Sequence, residues 1–129
     1  MNDAEIVADA SAILAALKNE PFATFEPVRL LGTSISTVNF CEVLTKLHSD
    51  GLTPQQASTA AARLDLHVLA FDERMAATAA EFWFQTRRAG LSLGDRACLA
   101  LGKLLKCPVV TADQAWASLD LGVEVILIR

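Results

Sequence analysis

Four carboxylates stand where they can do chemistry together: Asp9, Glu42, Asp95 and Asp113. Asp9 directly follows the apolar run Ile6-Val7-Ala8, and Asp113 comes two residues after Val109-Val110-Thr111. Asp95 opens a strongly apolar helical segment, and Glu42 sits in the second turn of another. Each acid alone has an ordinary explanation, because free backbone N–H groups and the dipole draw negative charge to any helix start. Asp9 and Asp113 can be caps, Asp95 can answer Ser92 in a capping arrangement, and Glu42 can be solvated. Together they ask for more. Two bare carboxylates ~4 Å apart repel by about 4 kcal/mol at an effective dielectric near 20, which capping does not require. A divalent cation removes that repulsion. Mg²⁺ takes oxygen ligands and keeps several waters, so a few carboxylates around an open pocket suit it. Such a site activates water and stabilises the leaving oxygen in phosphodiester cleavage.

The elements that must position these acids alternate between short β-like runs and longer helical ones. Strands are predicted at 6–8, 30–35, 67–71, 109–111 and 125–128. Ser11 is the predicted cap of a helix over 12–18, and 21–29 reads as a turn with irregular helix. Ser36 starts the helix that carries Glu42 on the side away from the stripe Phe40, Val43, Leu44 and Leu47, and Gly51 ends it. Thr53-Pro54-Gln55-Gln56 is a capping box with proline at the first helical position, and its helix runs to about 64. Asp72 caps a helix whose buried face is Met75, Ala79, Phe82, Trp83 and Thr86, ending at Gly90. The stretch 94–106 is apolar nearly all round and reads as a central buried helix, and 112–118 as a short one. Strands joined by long helical crossovers imply a mostly parallel sheet with helices on both faces, and such sheets bind ligands beyond the carboxyl ends of their strands. The whole chain, 1–129, reads as one α/β domain.

Composition narrows the class. With 11 Lys+Arg against 15 Asp+Glu, the net charge of −4 excludes a general nucleic-acid coat held by phosphate neutralisation. The positive charge is local: 87–106 holds five bases (Arg87, Arg88, Arg96, Lys103, Lys106) and one acid, leaving 6 bases and 14 acids elsewhere. Arg87, Arg88 and Arg96, near Asp95 in sequence, are candidates to hold phosphate; Arg87 and Arg88 also suit the end of their helix dipole. Trp83, Phe84 and Trp116 have rings that bases stack on, although burial is the better reading for Trp83 and packing for Trp116. Cys41, Cys98 and Cys107 form no C-x-x-C pair and read as reduced, mostly buried thiols of a cytoplasmic protein. With only His48 and His67 besides, a Cys/His zinc site is not expected. No 18-residue apolar stretch spans a membrane, and the acidic start Met1-Asn2-Asp3-Ala4-Glu5 has the wrong charge for a secretory leader. A mean hydropathy of +0.37 favours a buried oligomer or partner surface.

The ordered set Val7-Ala8-Asp9-Ala10-Ser11-Ala12, Ser36-Thr37-Val38-Asn39-Phe40-Cys41-Glu42-Val43, Leu91-Ser92-Leu93-Gly94-Asp95-Arg96-Ala97-Cys98-Leu99-Ala100 and Thr111-Ala112-Asp113-Gln114-Ala115-Trp116 resembles a PIN domain, most closely the bacterial VapC-type toxins. The resemblance covers nearly the whole chain. It implies that Asp9, Glu42, Asp95 and Asp113 form an acidic quartet for Mg²⁺ or Mn²⁺. Asp9 and Asp95 would be direct ligands; Glu42 and Asp113 would complete the site through a second metal, bound water or activation of the nucleophile. Ser11 and Thr111 fall on small hydroxyl positions that steady the pocket, and with Arg87, Arg88 and Arg96 they are the candidates to touch RNA. The implied activity is endoribonuclease cleavage of single-stranded RNA by the toxin of a toxin–antitoxin pair. The implied partners are a homodimer mate and a cognate antitoxin with a basic C-terminal segment over the groove. Arg96 and Gly102 depart from the small apolar residues common in that helix, and no carboxylate is missing. A rival of another class is a non-catalytic binding module on the same fold, its acids holding a basic partner segment. A phosphotransfer domain of receiver type is weaker, because no lysine follows Lys106.

Overall fold

The computed structural model describes residues 5–129; the acidic stretch 1–4 lies outside the described residues. Five short strands form one sheet: β1 (Val7–Ala8), β2 (Ser34–Ser36), β3 (His67–Leu69), β4 (Val109–Thr111) and β5 (Val125–Leu127). Their order is β3-β2-β1-β4-β5, and every pairing is parallel. The helices are α1 (Ala10–Leu17), α2 (Thr37–Ser49), α3 (Pro54–Ala62), α4 (Glu73–Glu81), α5 (Trp83–Thr86) and α6 (Leu93–Leu105). This is the α/β sandwich that the alternation of short and long segments predicts.

Alternation along the strands splits the core in two. Ala8, Ile35 and Val110 pack with Ile13, Val43, Leu47 and Ala57 of α1, α2 and α3 on one face. Val7 and Val109 meet Met75, Phe82, Leu99, Leu101 and Trp116 on the other. Each large apolar side chain buried this way contributes about 1.5–3 kcal/mol. The central helix α6 buries seven of its residues, from Gly94 to Gly102, as its near-continuous apolar run requires.

Several local expectations change. Asp9, not Ser11, caps α1: its backbone is extended and its carboxylate, the stronger acceptor, takes the Ala12 N–H at 2.9 Å. β2 begins at Ser34 rather than residue 30, because Pro27 starts a 3₁₀ turn over Pro27–Leu30 and Gly32, at φ +73°, turns the chain before it can extend. The helix after Asp72 breaks at Phe82. Met75, Ala79, Phe82 and Thr86 hold the buried face, while Trp83, one residue round, is 47% exposed. Trp116 is fully buried, as packing predicts. Cys98 is buried and Cys107 half-buried, but Cys41 is exposed on α2. Residues Gln114–Ser118 form a 3₁₀ turn rather than an α-helix, tightened by Asp113 accepting from the Ala115 N–H two residues on. Among the described residues, no helix is long and apolar enough to cross a membrane.

Candidate active site

The strand order reverses between β1 and β4: the chain runs outward from β1 to β3, then returns beside β1 and runs outward again to β5. In a parallel sheet the crevice at such a reversal, beyond the carboxyl ends of the strands, is where ligands bind. Ala8 pairs with Val110, and the Asp9 N–H donates to the Val110 carbonyl at 3.1 Å. This pairing carries Asp9 and Asp113 out of adjacent strands into the same crevice.

A pocket of about 320 Å³ opens there, lined by Asp9, Glu42, Asp95 and Asp113 together with Ser11, Asn39 and Lys46. The four acids predicted from their spacing thus share one cavity. Asp9 forms its floor. Its Oδ1 accepts from the Ser11 hydroxyl at 2.7 Å and from the Ala12 N–H, and its Oδ2 accepts from the Thr111 hydroxyl at 2.5 Å. The two hydroxyls are locked in turn, since Ser11 Oγ accepts from the Ala112 N–H at 2.9 Å and Thr111 Oγ1 from the Asp113 N–H at 3.0 Å. Thr111 lies beneath the pocket rather than on its wall, and acts on Asp9. Burial pushes the Asp9 carboxyl up to about 6; hydrogen bonds from Thr111, Ala12 and Ser11 oppose the rise, and the Asp95 charge adds to it.

Asp95 sits in the first turn of α6 in a reciprocal capping box: its N–H donates to Ser92 Oγ at 3.2 Å, and its Oδ2 accepts from the Ser92 N–H at 2.9 Å. Asp113 caps its 3₁₀ turn through Oδ1. Both acids therefore do the ordinary structural work and still face the crevice. Glu42 is held by Asn39, whose buried amide donates to Glu42 Oε1 at 3.0 Å and to the Gly94 carbonyl at 2.9 Å while accepting from Ser36 Oγ at 2.8 Å. Asn39 so ties α2 to the start of α6. Gly94 is the other half of this joint: a β-carbon there would collide with the Glu42 carboxylate. Cys98, one turn beyond Asp95, is fully buried, and its thiol is raised by that burial and then by the charges of Asp9, Asp95 and Glu42.

The donor set suits a hard cation. Among the described residues, no hydrogen-bond donor meets Glu42 Oε2, Asp95 Oδ1 or Asp113 Oδ2. No three His, Cys, Asp or Glu side chains among them close on a single ion. The free carboxylate oxygens around the cavity are hard donors, the kind that Mg²⁺ and Mn²⁺ take.

The predicted phosphate-binding arginines are elsewhere. Arg96 donates to the Ala79 carbonyl at 3.3 Å, and the Arg87 guanidinium lies 4.9 Å above the Trp83 ring. Neither these nor Arg88 line the pocket. Lys46, which falls in none of the motifs, does. The available signal was its spacing, four residues after Glu42 on one helix face. Asn39 and Gly94 stand inside the quoted motifs with no role of their own; a glycine immediately before a first-turn acid is the clue to close approach.

The PIN domain family profile matches residues 6–121. No curated protein sequence matches the chain. Among solved structures, the fold is similar to that of VapBC2 from Rickettsia felis bound to a DNA fragment from its promoter, with a TM-score of 0.75 and 13% identity over 98% of this chain and 100% of that one. DNA-bound VapBC from Salmonella typhimurium gives 0.75 and 17%, again over 98% and 100%. VapC20 from Mycobacterium tuberculosis, a toxin that cleaves the sarcin-ricin loop, gives 0.67 and 17% over 88% of this chain and 95% of that one. At such identities the likeness is one of fold.

Proposed function

Because the chain belongs to the PIN domain family, we propose that it is a Mg²⁺- or Mn²⁺-dependent endoribonuclease acting on single-stranded RNA, the toxin of a toxin–antitoxin pair. The observation that carries this reading is the convergence of Asp9, Glu42, Asp95 and Asp113 on one open pocket at the reversal of strand order. A module that only gripped a basic segment would not need a buried carboxylate with a raised pKa at its floor.

Asp9 and Asp95 would hold the cation directly, with Glu42 and Asp113 completing the site. The bound cation supplies polarisation of the phosphate and a lower pKa for its water. Ser11 and Thr111 keep Asp9 aimed at the cavity. A free oxygen of Glu42 or Asp113 takes the proton of the attacking water. The water oxygen bonds to phosphorus as the P–O3′ bond breaks, and the departing O3′ takes a proton from solvent, leaving a 5′-phosphate and a 3′-hydroxyl. No side-chain nucleophile is involved. The partners in this reading are a second copy of the chain and a cognate antitoxin whose basic C-terminal segment covers the acidic groove, and the compartment is the cytoplasm.

The test compares wild type, Asp9→Asn and Asp95→Asn on single-stranded RNA with Mg²⁺ or Mn²⁺ and with EDTA. Loss of cleavage in both variants and in EDTA is the expected result. Undiminished cleavage by both variants overturns the metal-site assignment, and an absence of specific Mg²⁺ or Mn²⁺ uptake in titration calorimetry favours the binding module.

A further inference from the structure

A cation at the acids would meet the phosphate under attack, but the strand's other phosphates still face carboxylates, and Arg96 and Arg87 make their contacts away from this pocket. We propose that Lys46 is the residue that takes a phosphate of the RNA strand at this pocket. The inference rests on the ribonuclease reading above and deepens it by naming the contact that positions substrate.

Among the described residues, Lys46 is the one basic side chain on the pocket wall. It stands on the same face of α2 as Glu42, one turn further on, so a phosphate bound to it is presented to the acids rather than away from them. The dipole of α2 accounts for a cation in its last turn, but not for the placement of that cation on the rim of the acid pocket.

Its ion pair is built to be given up. The Asp50 carboxylate is shared by two lysines: Oδ2 meets Lys18 Nζ at 2.8 Å, and Oδ1 meets Lys46 Nζ at 3.5 Å. Lys18 makes the closer contact, and its hydrogen bond is the largest cause holding the Asp50 carboxyl below its ordinary range. When Lys46 turns to a phosphate, Asp50 keeps a partner and no bare charge is left behind. The Lys46 side chain is half exposed, so a strand reaches it without rearrangement of the fold.

The test measures steady-state cleavage of a single-stranded oligoribonucleotide with saturating Mg²⁺ across a salt series, for wild type, Lys46→Gln, Lys46→Arg and Arg63→Gln. Arg63, exposed at the C-cap of α3, gives the same change of net charge away from the acids. Lys46→Gln is expected to lower kcat/KM about tenfold, mainly through KM, and to flatten the log–log salt slope by about 0.7. Lys46→Arg restores both, Arg63→Gln stays within about twofold of wild type by additivity of distant sites, and calorimetric Mn²⁺ uptake by Lys46→Gln is not weakened. Wild-type kcat/KM and slope in Lys46→Gln overturn the inference, as does an equal loss in Arg63→Gln or a loss of Mn²⁺ uptake. A wild type that leaves RNA intact overturns the functional reading itself, and this inference with it.

Discussion

Gly94 lies so close beneath Glu42 that the space its β-carbon would need is already filled by the Glu42 carboxylate. The obstructing atoms are the far end of a flexible side chain, so the chain can yield there without disturbing its backbone. Gly94→Ala is therefore expected to swing Glu42 out of the pocket while α6 keeps its fold. Alanine favours a helix over glycine by up to about 1 kcal/mol, which offsets the local crowding. The expected result is cleavage reduced by at least about tenfold, on the scale of lost metal-site support, with thermal midpoints near those of wild type. An active Gly94→Ala enzyme would show that the position of Glu42 is immaterial.

Asp9 makes stability depend on pH in a definite direction. Its carboxyl ionises at about 6 when folded and at 3.8 ordinarily. Between these values the folded state holds a proton that the unfolded state has released, so stability falls as pH rises through this window. Below it nothing is lost; above it the loss is complete, about 3 kcal/mol. In EDTA, Asp9→Asn should be more stable than wild type at pH 8, and the difference should vanish near pH 4. Urea midpoints across that range measure it. A variant less stable than wild type at pH 8 would mean that Asp9 is a structural cap alone.

Thr111 opposes that rise by donating to Asp9 Oδ2. Thr111→Val keeps the shape and removes the donor, so the Asp9 carboxyl should move further up. The pH at which Mn²⁺ uptake is half lost should shift upward with it, read by calorimetry at several pH values. An unmoved midpoint would show that the hydroxyl does not govern Asp9.

Asn39 joins Ser36, Glu42 and the Gly94 carbonyl from a fully buried position. Asn39→Ala leaves the Gly94 carbonyl and the Ser36 hydroxyl without this partner, a cost of about 1–3 kcal/mol. It also frees Glu42. Unlike Asp9→Asn, it should lower stability and metal uptake together, which urea unfolding and calorimetry read separately.

The acids were legible in the sequence because each sits at a junction between strand and helix, where period and capping rules are informative. Thr53 and Gln56 could be paired by eye, and so could Ser92 and Asp95, because capping boxes are local. Ser11 offers a capping hydroxyl two residues after Asp9, but the strand-to-helix turn is short enough that the Asp9 carboxylate takes the bond. The cations were harder. Arg96 is adjacent to Asp95 in sequence, yet a helix turns successive side chains about 100° apart and sends it to the Ala79 carbonyl. Lys46 reaches the pocket only because α2 packs across α1 and α6, a tertiary arrangement that no local pattern encodes.

The pairing of β1 with β4 has a consequence for the timing of synthesis. Asp9 is 102 positions from Thr111, the hydroxyl that steadies it, and Asp113 follows two residues later. A nascent chain emerging from the ribosome carries Asp9 and Glu42 well before β4 exists to sit beside β1. Contacts this distant along the chain close late. The pocket is therefore assembled by one of the last events of folding. Until β4 docks beside β1, Asp9 lacks the Thr111 hydroxyl and Asp113 has no place in the crevice, so the four acids do not yet stand as one group.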